Sequence, residues 1–214
     1  MRRRFIVPTL CLLCLLASAV AQTAPAGSSS SKSNQKVEQH VKRDQVKPTA
    51  PDEGLYRNAE FGFTYLVRYG WVDRTTAMQP EDADASKSRL VLAVFERPPE
   101  VTGDTVNSAV IVAVESAASY PGLKTAADYM GPLTELTTAK GFRVAQEPYE
   151  FSVGSKRLVR SDFVKDIGQL SMHQSSLVEM QKGKVLSFTF IGGSEDEVDE
   201  LVEKLVFPRA VKSR

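Results

Sequence analysis

His173 is one of two histidines in the chain, the other being His40, and it sits among Ser171, Ser175 and Ser176. A histidine beside serines is the pairing of acyl-transfer hydrolases, in which the imidazole takes the hydroxyl proton as the oxygen attacks. That chemistry also needs the serine on a strained turn, as in Gly-x-Ser-x-Gly, and an acid that orients the imidazole. No Gly-x-Ser-x-Gly is present in the chain. Ser171 and Ser175 each lie two residues away in a stretch that reads as a strand, so the three share one face. That face is expected to be solvated, with His173 an ordinary surface histidine.

Four other patterns invite a chemical reading. Glu81-Asp82-Ala83-Asp84-Ala85-Ser86 contains Asp-x-Asp-x-Ser, the opening of a calcium loop. Such a loop needs Gly at its sixth position and Glu at its twelfth; Lys87 and Ala93 stand there, so a solvated acidic loop is expected. Gly192-Gly193-Ser194 falls between a strand and a helix, where phosphates are often held. Yet Glu195-Asp196-Glu197 follow, which already complement the helix N-terminus and repel an anion, and no Lys follows the glycines. Capping is the expectation. Lys156, Arg157, Arg160 and Lys165 gather around one hairpin, where they read as a solvated strand edge that blocks aggregation. Tyr69 and Trp71 flank Gly70, and Trp71, the single tryptophan, reads as a core residue. No residue is assigned a catalytic, cofactor-binding or metal-ligating role.

The elements that must carry these residues begin after a targeting segment. Arg2-Arg3-Arg4 form a basic start, Phe5 to Leu16 an apolar run, and Ala19-Val20-Ala21 a small-x-small site before Gln22. These are the parts of a secretory signal peptide, residues 1–21, with cleavage expected after Ala21 and a secreted or periplasmic destination. The full chain of 214 residues has 27 Lys+Arg against 26 Asp+Glu. Removing three arginines and no acid leaves 24 basic and 26 acidic side chains, a balance that argues against nucleic acid as the partner. Both cysteines, Cys11 and Cys14, fall in the removed segment, so no disulfide or thiolate chemistry remains. No later segment is apolar enough over enough length to span a membrane.

Residues 22–54 carry no aromatic, Leu, Ile or Met, but a serine run from Ser28 to Ser31 and prolines at 25, 48 and 51. Such a composition cannot bury enough apolar surface to offset about 1–2 kcal/mol per residue of ordering entropy, so a disordered linker is expected. Residues 55–208 have the length and composition of a single domain, followed by a short tail, 209–214.

Within the domain, Phe61 to Val67 reads as a strand that pairs with Leu55 to Arg57 through a turn at Asn58. Arg89 to Glu96 and Thr105 to Ser116 are apolar on both faces and expected to be central. Leu123 to Lys140 has helical spacing, with Gly131-Pro132 expected to kink or split it and Gly141 to stop it. Three strands follow, Arg157–Lys165, Leu170–Gln181 and Val185–Ile191, after a first stretch from Phe142 to Val153, with turns at Gly154-Ser155 and Lys182-Gly183. Ser194 then caps a last helix striped by Val198, Leu201, Val202 and Leu205. Strands, a helix, hairpin strands and a helix make an α+β fold, an antiparallel β-sheet packed by helices.

Tyr56-Arg57-Asn58, Phe61-Gly62-Phe63-Thr64-Tyr65 and Gly70-Trp71 resemble the opening hairpin of the PsbP-like superfamily. Asp128-Tyr129 on the first helix, Gly183-Lys184-Val185 leading into Phe188-Thr189-Phe190, and the acidic-then-apolar last helix are similar in type. The resemblance covers about Leu55 to Phe207. It implies an α/β/α sandwich and a binding or assembly role rather than catalysis, and it brings no catalytic residues. The resulting expectation is a secreted, non-enzymatic binding or accessory protein of the cell envelope with an envelope protein as partner. The alternatives are a small-ligand or calcium carrier, resting on Asp82 and Asp84, and a carboxylate-dependent hydrolase.

Overall fold

The structure is a computed structural model that describes residues 54–79, 84 and 87–208. The expected signal peptide, the expected linker up to Glu53, the tail and most of the acidic loop, Asp82 included, lie outside the described residues.

Strands β1 (Gly54–Asn58) and β2 (Phe63–Val67) form the opening hairpin, with Tyr56 opposite Tyr65. Its turn follows from Asn58 and Gly62. The Asn58 side chain accepts from Phe61 N at 3.0 Å, and Gly62, at φ 70°, donates its N–H to the Asn58 carbonyl. Seven more strands form a second, antiparallel sheet. They are β3 (Val72–Asp73), β4 (Ser88–Phe95), β5 (Ala109–Ser116), β6 (Arg143–Val153), β7 (Lys156–Ile167), β8 (Leu170–Gln181) and β9 (Lys184–Gly192). Their spatial order is β3-β4-β5-β9-β8-β7-β6. The α+β class and antiparallel sheet read from the sequence are the ones observed.

Alternation along β5 divides the core. Val110, Val112 and Val114 join Phe63, Tyr65, Phe188 and Phe190 on one face, while Ala109, Ile111 and Ala113 join Leu90 and Phe95 on the other. The first face is covered by the β1–β2 hairpin and by helix α2 (Glu195–Glu203). Helix α1 (Ala126–Ala139) covers the other face, placing Tyr129 and Met130 on Val178 and Val185. Burying one such large side chain stabilises the fold by about 1.5–3 kcal/mol.

Four expectations need correction. First, α1 starts at Ala126 rather than Leu123, because Thr125 and Asp128 form a reciprocal capping box: Thr125 Oγ1 accepts from Asp128 N, and Asp128 Oδ2 accepts from Thr125 N at 2.8 Å. Second, α1 is not split at Pro132, which costs it one intrahelical donor but lies within an unbroken helix. Third, Leu205 leaves the stripe of α2 and enters a two-residue strand, β10 (Leu205–Val206), that pairs with the free side of β2. Fourth, β4 is not central, since only the two residues of β3 lie outside it. Side chains of the following turn satisfy its outer edge: Gln79 accepts from Leu90 N and donates to Leu90 O, and Thr75 Oγ1 accepts from Ala93 N at 2.8 Å. The glycine turns are as expected. Gly141, at φ 85°, ends α1, and Gly154, at φ 60°, joins β6 to β7.

Candidate functional site

Two glycines and a cap set the position of α2. Ser194 Oγ accepts from Glu197 N at 3.1 Å. The Glu197 carboxylate does not return to Ser194 N as in a full capping box. It accepts from Gly193 N at 2.8 Å and from the Ser108 hydroxyl on the sheet. A Cβ at Gly192 would stand 3.2 Å from that carboxylate, tighter than an ordinary contact, so glycine leaves it room. The position where an anion would sit at this helix end is filled by the chain's own Glu197, and the capping expectation for Gly192-Gly193-Ser194 holds.

Val198, Leu201 and Val202 bury the lower side of α2, leaving its acids along the rim. Between this helix and β6, β7 and β8 lies a cleft of about 480 Å³. Arg160 of β7 lines it and is only 9% exposed. Its Nε donates to Asp162 Oδ1 at 2.8 Å and its Nη2 to Asp199 Oδ1 at 2.6 Å. The guanidinium also lies over the Phe151 ring, 5.0 Å from the centroid. Asp162 accepts further bonds from the Ser175 hydroxyl and from Tyr149 Oη. A buried charge is costly unless paired and hydrogen-bonded. Here one cation is shared by two carboxylates, and two hydroxyls satisfy the less exposed of them.

Burial works against the charge on Arg160, but the bonds to Asp162 and Asp199 outweigh it and raise its pKa further. Burial also raises the Tyr149 phenol, with Asp162 adding to the effect and Arg160 opposing it. Both groups therefore keep their protons throughout the physiological range.

His173 does not lie on a solvated face. It is half-buried at the cleft wall, and Ser175, on the same face of β8, is 1% exposed. The reason is α2, which crosses over this part of β8. Ser175 donates to Asp162 and not to the imidazole, and His173 Nδ1 stands 3.9 Å from Glu195 Oε1. Ser171 is exposed and donates to Asp166 at 2.8 Å. The structure thus brings His173 and Ser175 into one cleft but builds no serine–histidine couple from them.

The basic cluster is also redistributed. Strand β7 is internal, between β6 and β8, so it cannot be a protected edge. Arg160 enters the cleft, Lys156 pairs with buried Glu179, Lys165 Nζ donates to the Lys140 carbonyl at 2.7 Å, and Arg157 alone stays exposed. Trp71 packs against the main core, as expected, while Tyr69 is 81% exposed. Asp84 pairs with Lys87 at 3.3 Å, and Ala93, at the twelfth position of the would-be calcium loop, is buried in β4. Among the described residues no three His, Cys, Asp or Glu side chains converge on a metal position.

A second polar cluster is hidden under α1. Glu115, 6% exposed at the end of β5, accepts from Tyr120 Oη, and the Tyr120 and Tyr129 rings meet edge to face at 5.2 Å. Burial raises the Glu115 pKa, and the tyrosine hydroxyls restrain the rise.

Sequence reading did not single out Asp162, Asp199, Tyr149 or the inward role of Arg160. The available signal was alternation in β7, which places Arg160 and Asp162 on the same face as Leu158, a charged pair in line with a core residue.

No family model and no curated protein sequence matches the chain. Among solved structures it is similar to cyanobacterial PsbP (CyanoP) from Synechocystis sp. PCC 6803, with 14% identity over 72% of this chain and 92% of that one, at a TM-score of 0.47. It is similar to the Saccharomyces cerevisiae Ran-binding protein Mog1p, with 10% identity over 72% and 94% of the two chains and a TM-score of 0.43. It is also similar to LpqN of Mycobacterium tuberculosis, a protein involved in cell envelope biogenesis, with 11% identity over 72% and 90% and a TM-score of 0.37. At such identities the likeness is one of fold.

Proposed function

We propose that this chain is a non-enzymatic binding protein that acts outside the cytoplasm as an accessory factor of the cell envelope, and that it contacts a partner protein through the cleft under α2. Residues 55–208 form the binding domain, and residues 22–54 tether it after a signal cleaved behind Ala21. The observation that carries this reading is how the cleft's polar groups are used. Arg160, Asp162, Asp199, Ser175 and Tyr149 bond to one another and hold α2 to the sheet. A general base or nucleophile needs a proton-transfer partner within about 2.6–3.2 Å; the Ser171 and Ser175 hydroxyls on either side of His173 along β8 are turned to Asp166 and Asp162 instead, and the raised pKa values of Tyr149 and Arg160 remove them as bases. What remains is an open, charged concavity of ligand size.

A photo-crosslinking amino acid at Ala145, exposed on the cleft wall, tests this in cells. The same group at Arg157, exposed at the β6–β7 hairpin, serves as control. One discrete adduct from the first position, absent from the second and recovered with the envelope fraction, is expected. A folded protein that gives no adduct at Ala145, or the same adduct from both positions, would overturn the reading.

A further inference from the structure

We propose that the occupant of this cleft is an extended peptide segment carrying lysine or arginine. The inference rests on the binding reading above and adds the ligand's chemistry.

Charge comes first. The cleft walls hold one guanidinium, Arg160, against three carboxylates, Asp162, Glu195 and Asp199, a surplus of two negative charges. Glu195 and Asp199 are one helical turn apart on α2, with side chains 80% and 57% exposed, so both face an incoming ligand. An anionic ligand is repelled, and a cationic side chain is drawn in.

An independent feature of Arg160 asks for something else. Its Nε and Nη2 are bonded, but Nη1 has no hydrogen-bond partner among the described residues and is not sealed from solvent. In a residue nine-tenths buried that lines the cleft, that nitrogen opens into the cleft. It is a donor that the protein leaves unfilled at the cleft wall. A carboxylate there would meet Asp162 and Asp199, which already over-compensate the guanidinium. A neutral carbonyl oxygen meets no such repulsion.

The ligand must then present a neutral carbonyl and a cation together. A basic peptide does so, and a polyamine has no carbonyl. The cleft wall adds a third observation. Strand β6 is the edge of the seven-stranded sheet, and its register with β7 shifts on both sides of Gln146, beside the cleft. An edge strand offers backbone groups that a peptide can pair with.

The test uses the chain without its signal segment and three short capped peptides: alternating lysine and alanine, the same with acetylated lysines, and the same with glutamate for lysine. Binding is followed by fluorescence polarisation and mapped by amide chemical shifts. The lysine peptide should bind, with shifts concentrated on Ala145, Gln146, His173 and Glu195. Acetylation or E195K should weaken it at least about tenfold, and the glutamate peptide should not bind. Spermidine should bind at least about tenfold more weakly than the lysine peptide. Equal binding of the acetylated peptide in the cleft would overturn the cationic ligand while leaving the cleft as a binding site. Equal or tighter binding of spermidine would overturn the peptide. Shifts spread over the acidic face of α2 and unchanged by E195K would overturn the site assignment, and so would no binding of any probe. The cellular crosslink at Ala145 decides separately whether the cleft meets a partner at all.

Discussion

Arg160 of β7 and Asp199 of α2 meet at 2.6 Å, and this ion pair spans the cleft from the sheet to the helix above it. The same guanidinium holds Asp162 on its own strand at 2.8 Å. The two carboxylates differ in environment, with side-chain exposures of 22% for Asp162 and 57% for Asp199. Removing the cation leaves Asp162 with hydroxyl donors alone in a partly buried place. Arg160→Met should therefore cost about 3–5 kcal/mol, as expected when one partner of a buried pair is deleted. Asp199→Asn leaves the Arg160–Asp162 pair intact and should cost about 1 kcal/mol or less. Urea denaturation of both variants measures the difference, and equal losses would contradict this division of roles.

The start of α2 gives a second comparison. Ser194 supplies one acceptor, to Glu197 N, while the Glu197 carboxylate accepts from both Gly193 N and the Ser108 hydroxyl. Ser194→Ala should cost about 1 kcal/mol. Glu197→Ala orphans two donors and should cost about 2 kcal/mol. Thermal melts that rank Ser194→Ala as the more damaging would show that the carboxylate does not hold the helix to the sheet.

Glu115 sets a pH dependence whose sign follows from its raised pKa. The folded state binds this proton more tightly than the unfolded chain, whose glutamates titrate near about 4.3. The stabilisation is complete below that value and is lost as pH rises through the higher folded pKa. Glu115→Gln keeps the shape of the protonated form and removes the titration. The melting temperature of Glu115→Gln minus that of the parent should then be small at acid pH and grow towards neutrality. A difference that shrinks with pH would mean that Glu115 is held as the carboxylate.

Pro132 interrupts the hydrogen bonding of α1 within an otherwise continuous helix. Pro132→Ala restores the donor, and the gain is partly offset by the freer unfolded chain. A net stabilisation of about 1–2 kcal/mol is expected from chemical denaturation. A loss of stability would show that the proline ring's packing outweighs the missing bond.

Much of the fold was legible because its signals are local. Gly62, Gly154 and Gly183 mark turns through left-handed backbone conformations that favour glycine, Asn58 marks one through its side-chain bond to Phe61 N, and the alternation of Leu186, Phe188 and Phe190 marks a strand with a core face. Ser194 announced a helix start for the same reason. Thr125 with Asp128 carried the equivalent signal for α1, and it placed that start three residues later than apolar spacing suggested.

The cleft was not legible, because none of its features is local. Alternation in β7 puts Arg160 and Asp162 on one face whether that face meets water or a helix. The outcome depends on β7 being internal and on α2 crossing that end of the sheet, and both follow from strand order. His173 and Ser175 read as solvated for the same reason. Residue spacing specified turns, strands and caps, since each needs only neighbours in the chain. Burial of Arg160, its pairing with an aspartate 39 residues away and the unfilled donor at its Nη1 arise where distant segments meet. Their energies come from desolvation and pairing across those segments, which no stretch of sequence contains alone.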